Sequence, residues 1–205
     1  MARIPLPTPE TMTPEQRRVH DAVVAGPRGV MVGPLRAALH SPGLAERWQL
    51  LGEFLRYRMS MPLALRELAI LVTARRWNAQ LEWQIHEAAA RKAGIDEAII
   101  EAIRSGRSPE FGDTAEAAVY EFAREMQELG QVSDEVYRQV QSKWDTLGVV
   151  ELTALIGYYT MVAMTLNAHE IPLLDDAEPP LQLPGGPQGR PTLSALPPGR
   201  LVHMN

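Results

Sequence analysis

Apolar residues recur along this chain at three- and four-residue steps, and no stretch keeps the strict alternation of a half-buried strand. The spacing predicts an all-α protein of about eight helices. A first helix is expected after Thr13-Pro14-Glu15-Gln16, where Thr13 caps, Pro14 takes the first helical position and Gln16 completes a capping box, with an end near Ala25. A second starts after Ser41-Pro42 and carries Leu44, Trp48, Leu51 and Leu55 on one face to about Tyr57. A third runs from Pro62 to about Trp77. A fourth covers Ala79 to Ala93 and stops at Gly94, the residue best able to take a left-handed cap conformation. Asp96 caps a short helix bearing Ile99, Ile100 and Ile103, Thr114 opens another to Leu129, and Ser133 opens one that passes Val136, Val140 and Trp144. The last, from about Val149 to His169, is apolar on most of its turns, which implies a central position or a subunit interface.

The prolines divide the chain. Six of the 17 fall in residues 1–34 and eight in residues 172–205, leaving Pro42, Pro62 and Pro109 for everything between. The expected organisation is an amino-terminal extension with the first helix over 1–34, a helical body over 35–171 and a Pro/Gly-rich tail over 172–205. That tail cannot sustain helix or sheet ladders, so it is expected either to be disordered or to lie as an extended arm on a neighbouring subunit. Leu181, Leu183, Leu193 and Leu196 are its candidate anchors.

Composition narrows the function classes. With 205 residues, 45% hydrophobic and 22% charged, the chain suits one globular domain. A net charge of −5 with both signs interspersed gives no electrostatic reason to expect nucleic acid or an anionic membrane as partner. The start MARIPLPTPE lacks the pattern of a secretory signal, and no apolar run approaches the ~20 residues of a bilayer span, so a cytoplasmic location is expected. There is no cysteine, which removes disulfides, thiolate nucleophiles and cysteine metal sites together.

The chemistry concentrates in RELAILVTARRWNAQLEWQIH, residues 66–86. Glu67 stands among Leu63, Leu65, Leu68, Ala69, Ile70, Leu71 and Val72, where a helix turns nearly every face toward protein. A carboxylate buried without a partner costs several kcal/mol, so such an acid points to a function, unless Arg66, Arg75, Arg76 or another subunit's arginine pairs with it. Glu82 and His86 are four apart and share a helix face, so the carboxylate can hold one imidazole nitrogen and fix its tautomer. A hairpin of the third and fourth helices would add Glu67 and complete a proton-transfer set. Taken alone, a Glu-His pair at this spacing is also common on surfaces. One His with two Glu is a thin ligand set for a metal, and no metal is expected. His169 can face the site or simply complement a helix C-terminus, whereas His20, His40 and His203 have no acidic neighbour at helical spacing or lie in the tail.

Arg66-Glu67, then Glu82, then His86 on adjoining helices, followed by Ala90 and Gly94 and a short helix with an acidic start, resembles the carboxymuconolactone decarboxylase family, which includes the alkylhydroperoxidase AhpD-like proteins. The resemblance covers residues from about 40 to 170. In the AhpD-like branch a Glu precedes the His by nineteen residues, as Glu67 precedes His86, and a Cys-x-x-Cys pair lies between. Ala79 and Glu82 occupy the places of those two cysteines, so a disulfide-cycling peroxidase is chemically excluded and the chain resembles the cysteine-free branch.

The resemblance implies an all-α fold assembled into trimers or hexamers, with a cofactor-independent site near a subunit interface. It also implies a lyase acting on a small acidic unsaturated lactone or a related aromatic-catabolism intermediate. In γ-carboxymuconolactone the electrons of the departing carboxylate can delocalise toward the lactone carbonyl, so a base, an acid and a cation suffice. On this reading Glu67, Glu82 and His86 are catalytic: His86 shuttles the proton, Glu82 orients it, and a buried Glu67 stays protonated as the acid. Arg56, Arg58, Arg75 and Arg76 are candidate cations, with Arg75 and Arg76 placed in the substrate site. Trp83, with Trp77 nearby and His169 beyond, would wall the ring, although core packing explains either tryptophan as well. A different class stays open, an oligomer that binds a small molecule without transforming it. The two separate on whether the three residues meet at a cavity.

Overall fold

The helix that carries Glu67 is buried along nearly its whole length, and the rest of the fold is arranged around it. In the computed structural model, which describes residues 2–183 and 191–198, α4 spans Leu63–Arg76, and every residue from Glu67 to Arg75 is buried. No single stripe explains that helix, because α5 (Gln80–Lys92), α6 (Glu97–Arg104), α7 (Thr114–Leu129) and α8 (Asp134–Ala168) all touch it. An element surrounded on all sides carries apolar residues on all sides. Truncating such a residue, as in Leu68→Ala, leaves a cavity at a cost of about 2–5 kcal/mol.

The remaining helices form an outer layer. α1 (Pro14–Ala25) and α2 (Gly33–Ala38) pack on α3 (Pro42–Tyr57), and α2 and α3 also reach α8. The described residues contain these eight helices, one short 3₁₀ turn at Leu174–Asp176, and no strand. His203 lies outside the described residues.

Local chemistry sets the boundaries much as expected. Thr13 and Gln16 exchange the two hydrogen bonds of a capping box at the start of α1. Asp96 and Asp113 cap α6 and α7 by accepting from the amides of Ala98 and Ala115. Gly94 and Gly130 take left-handed conformations, φ +94° and +72°, just past the ends of α5 and α7.

One element is added to the expected series. α2 was not anticipated, since six residues of GPLRAA are too few to show a period. The two helices expected around Ser133–Trp144 and Val149–His169 are both present and follow one another within α8, separated by a kink where Trp144 (φ −132°) and Asp145 (φ +53°, ψ −168°) leave helical geometry. The bend tips Trp144 onto Gly148, where an added Cβ would collide with that of Trp144. By length and composition alone α8 could cross a membrane, but 56% of its most apolar window is buried inside the protein.

The described part of the tail lies on the body of its own chain in extended form. Gln80 and Gln84 each bracket one tail residue, Leu181 and Leu174, accepting from its amide and donating to its carbonyl. Glu128 and Glu121 accept from the amides of Leu193 and Leu196, and Tyr120 donates to the carbonyl of Ser194. Leu181, Leu193 and Leu196 are buried, as anchors should be, while Leu183 is half-buried.

Candidate functional site

Glu67 and His86 meet at the crossing of α4 and α5. The short connection Trp77-Asn78-Ala79 turns the chain sharply enough to make the two helices neighbours, with Asn78 at φ +49° absorbing the turn. His86 Nδ1 lies 2.6 Å from Glu67 Oε2, and the two residues are each 4% exposed. Its ring stands edge-on to Tyr159 of α8, centroids 4.9 Å apart. With Glu67 ionised, Nδ1 carries the hydrogen and Nε2 keeps a lone pair.

Glu82 behaves differently from the expected orienting group. It is 2% exposed, and neither of its oxygens has a hydrogen-bond partner. The helical spacing to His86 does put the two side chains on the same cavity, but Glu67 takes the imidazole nitrogen that Glu82 was expected to hold. Glu67 and not Glu82 therefore holds the imidazole, and Glu82 sits in dry surroundings, where burial pushes its carboxyl well above the usual carboxylate range. The contrast with the other buried acids is sharp. Glu87, Glu121, Glu125 and Glu151 all accept hydrogen bonds, leaving Glu82 as the one buried glutamate without a partner among the described residues. An orphaned buried carboxyl is costly, and proteins keep such groups where chemistry uses them.

A cavity of about 50 Å³ adjoins Glu82 and His86 but not Glu67, which reaches it only through the imidazole. Glu82 and His86 line it, with Ile85 between them, Tyr158 and Tyr159 from α8, Arg56 from α3 and Arg28 from the connection between α1 and α2. Burial pushes the Tyr158 and Tyr159 hydroxyls up, so both stay protonated as donors. Among the described residues, no three His, Cys, Asp or Glu side chains are grouped to hold a metal ion.

The residues expected to bind substrate do not line this cavity. Trp83 is fully buried in the core and donates to Glu87, which is in turn neutralised by Arg91 and Arg104. Arg75 is buried against Asn78, with burial lowering its basicity, and lines a separate cleft with Arg104. Arg76 pairs with Glu128, and Trp77 donates to Gln127. Both border a wide depression of about 830 Å³ that contains none of Glu67, Glu82 and His86. His169 caps the end of α8, its carbonyl taken by the amide of Arg3. Sequence reasoning passed over Arg28, Tyr158 and Tyr159. The tyrosines sit in a generally apolar helix with no motif around them, and Arg28 lies in a Pro/Gly segment that carries no period.

Residues 42–125, the span that supplies Glu67, Glu82 and His86, match the carboxymuconolactone decarboxylase family. The whole helical arrangement is AhpD-like. It is similar to an alkylhydroperoxidase AhpD core structure, a peroxidase-related protein from Ralstonia eutropha JMP134, with a TM-score of 0.69 and 13% identity over 85% of this chain and 93% of that one. A peroxidase-related protein from Silicibacter sp. TM1040 superposes with a TM-score of 0.67 and 14% identity, covering 83% and 91% of the two chains. The debrominase Bmp8, solved as a cysteine-to-alanine variant with 2,3,4-tribromopyrrole, gives a TM-score of 0.63 and 14% identity, covering 80% and 87%. At these identities the likeness is one of fold. No curated protein matches the chain.

Proposed function

We propose that this protein is a cofactor-independent lyase that cleaves a carbon–carbon bond in a small acidic unsaturated lactone or a related aromatic-catabolism intermediate. The observation that carries the reading is the pairing, on one cavity, of an imidazole held by Glu67 with a dry, partnerless Glu82. His86 Nε2 is the base and Glu82 the acid, two titratable groups whose surroundings push them toward opposite tasks. In a decarboxylation the bond to the carboxylate carbon breaks and carbon dioxide leaves. The electron pair enters the conjugated lactone carbonyl, the Tyr159 hydroxyl and the Glu82 carboxyl lie on the same cavity to stabilise the developing enolate, and a proton from Glu82 or protonated His86 ends on carbon. With no cysteine, the chain cannot run the thiol cycle of a disulfide peroxidase.

The experiment is direct. The protein is offered a panel of carboxylated muconolactones and related unsaturated lactones without added metal or cofactor, and loss of ultraviolet absorbance is followed for wild type and His86→Ala in parallel. Turnover that is unchanged in His86→Ala ends the acid–base reading, and turnover abolished by a chelator transfers the site to metal chemistry. Binding of a lactone without turnover supports the alternative, a small-molecule-binding protein of the same fold.

The protein is further proposed to work as a homo-oligomer, a trimer or hexamer. Leu147, Val150, Ala154, Gly157, Met161 and Met164 follow one another at alternating three- and four-residue steps along the outward face of α8, and all but the half-buried Met161 are exposed. An uncharged apolar seam of that period suits helix-to-helix contact with a second copy.

A further inference from the structure

The cavity beside Glu82 and His86 holds more positive charge than its surroundings neutralise. Arg28 and Arg56 both line it, and neither forms an ion pair with a carboxylate among the described residues. Arg56 rests 5.7 Å from the centre of the Tyr57 ring. Arg28 makes one long contact, 3.4 Å, to the Tyr158 hydroxyl, and its Nε is buried without a partner. The acids of the cavity do not balance them, because Glu67 is engaged by His86 and Glu82 favours its neutral form.

Two unpaired guanidinium groups in a partly dry site are costly unless an anion completes them, and the guanidinium fork matches a carboxylate in both charge and shape. The fold also gives up a side chain to seat one of them. A Cβ on Gly52, in the middle of α3, would collide with both the Tyr158 hydroxyl and Arg28 Nη2.

We propose that Arg28 and Arg56 are the carboxylate anchor of this cavity, selecting organic acids over neutral analogues and holding the acid with its unsaturated part toward His86 and Tyr159. The carboxylate they hold is one the substrate retains, so the reacting bond is left beside Glu82 and His86. This rests on the reading that those two residues act on the bound molecule. A cavity of about 50 Å³ has room for a water or two at ~30 Å³ each, so the acid enters only when a lining element moves. α5, α8 and the buried residues of α2 are held in the core, whereas the segment from 26 to 30, which contributes Arg28 to the lining, is exposed or half-buried and contains Gly29 at a positive φ of +66°. That segment is the door, and it carries the anchor on it.

Calorimetric titration of the full chain with muconolactone, a butenolide bearing one acetate arm, and with its neutral methyl ester tests the assignment without requiring turnover. The wild type should bind the acid at least about tenfold more tightly than the ester. Arg28→Met should bring the two within about twofold, and Arg28→Lys should keep part of the preference. Gly52→Ala, which displaces the guanidinium without removing it, should weaken acid binding and leave ester binding nearly unchanged. His86→Ala should keep the preference. An acid that does not bind at millimolar concentration, an ester bound as tightly as the acid, or a preference intact in both Arg28→Met and Gly52→Ala overturns the anchor. An Arg28-dependent preference with no turnover of any lactone sinks the lyase reading and leaves the anchor standing. His86-dependent turnover with no Arg28-dependent preference does the reverse.

Discussion

His86 and Glu67 form one chemical unit. Glu67 fixes which ring nitrogen carries the hydrogen, so removing its charge frees the imidazole to take the unproductive tautomer. His86→Ala should lower turnover on the order of 10² to 10⁴, Glu67→Gln should cost nearly as much, and the double variant should be little worse than His86→Ala alone. Losses that multiply in the double variant would show that the two residues act separately. Glu82 gives a prediction in stability. Its folded value is raised above the ordinary 4.5 by burial, so the stability it contributes is fully present below that value and lost as pH climbs through the raised one. Glu82→Gln cannot ionise, so its melting temperature should match the wild type near pH 4 and exceed it increasingly toward neutral pH. Parallel melting curves across that window would count against a dry Glu82.

At the scale of an element, α8 shows how one glycine permits a bend. Asp145 occupies a region of backbone space that is nearly reserved for glycine, and the turn it makes presses Trp144 onto Gly148. Gly148→Ala should therefore destabilise the protein by about 1–3 kcal/mol despite the better helix propensity of alanine, and Asp145→Gly should be neutral or stabilising. Thermal melts of the two variants check the pair, and a Gly148→Ala protein as stable as wild type would mean that the bend does not matter to the fold. The segment from 26 to 30 allows a second test at this scale. If it opens to admit an acid, its amides should exchange faster than those of α4 in the free protein and slow when muconolactone is bound, as read by hydrogen exchange.

For the whole molecule, the homo-oligomer proposed above is tested at the apolar seam on α8. The apolar positions from Leu147 to Met164 need no partner for the fold, since the opposite face of the helix already fills the core with Leu152, Leu155, Ile156 and Tyr159. Val150→Glu places a charge in the middle of the proposed contact and should shift the protein toward monomer in light scattering while leaving its helical content unchanged. A wild type that is monomeric at micromolar concentration, or a Val150→Glu variant that assembles normally, would remove α8 from the interface. The tail makes the same point from within one chain. Its leucines were recognisable as anchors, but the side chains that receive them, Gln80, Gln84, Glu121 and Glu128, are dispersed over two helices and gain meaning only when α5 and α7 are folded.

By itself the sequence determined the helical class and most helix boundaries, and it singled out Glu67, Glu82 and His86 as candidates, because these depend on local causes: apolar period, a capping box at Thr13, a left-handed stop at Gly94, and an acid misplaced among apolar neighbours at Glu67. Spacing picked out those three candidates, but not which carboxylate bonds the imidazole. Glu82 is four residues from His86 along one helix, and Glu67 is nineteen away; the distant one makes the bond, because the direction in which α4 crosses α5 sets which carboxylate reaches Nδ1. The cavity wall was decided the same way. Arg28, Tyr158 and Tyr159 reach one space from segments more than a hundred residues apart, and no local pattern marks residues whose only common property is the volume they enclose.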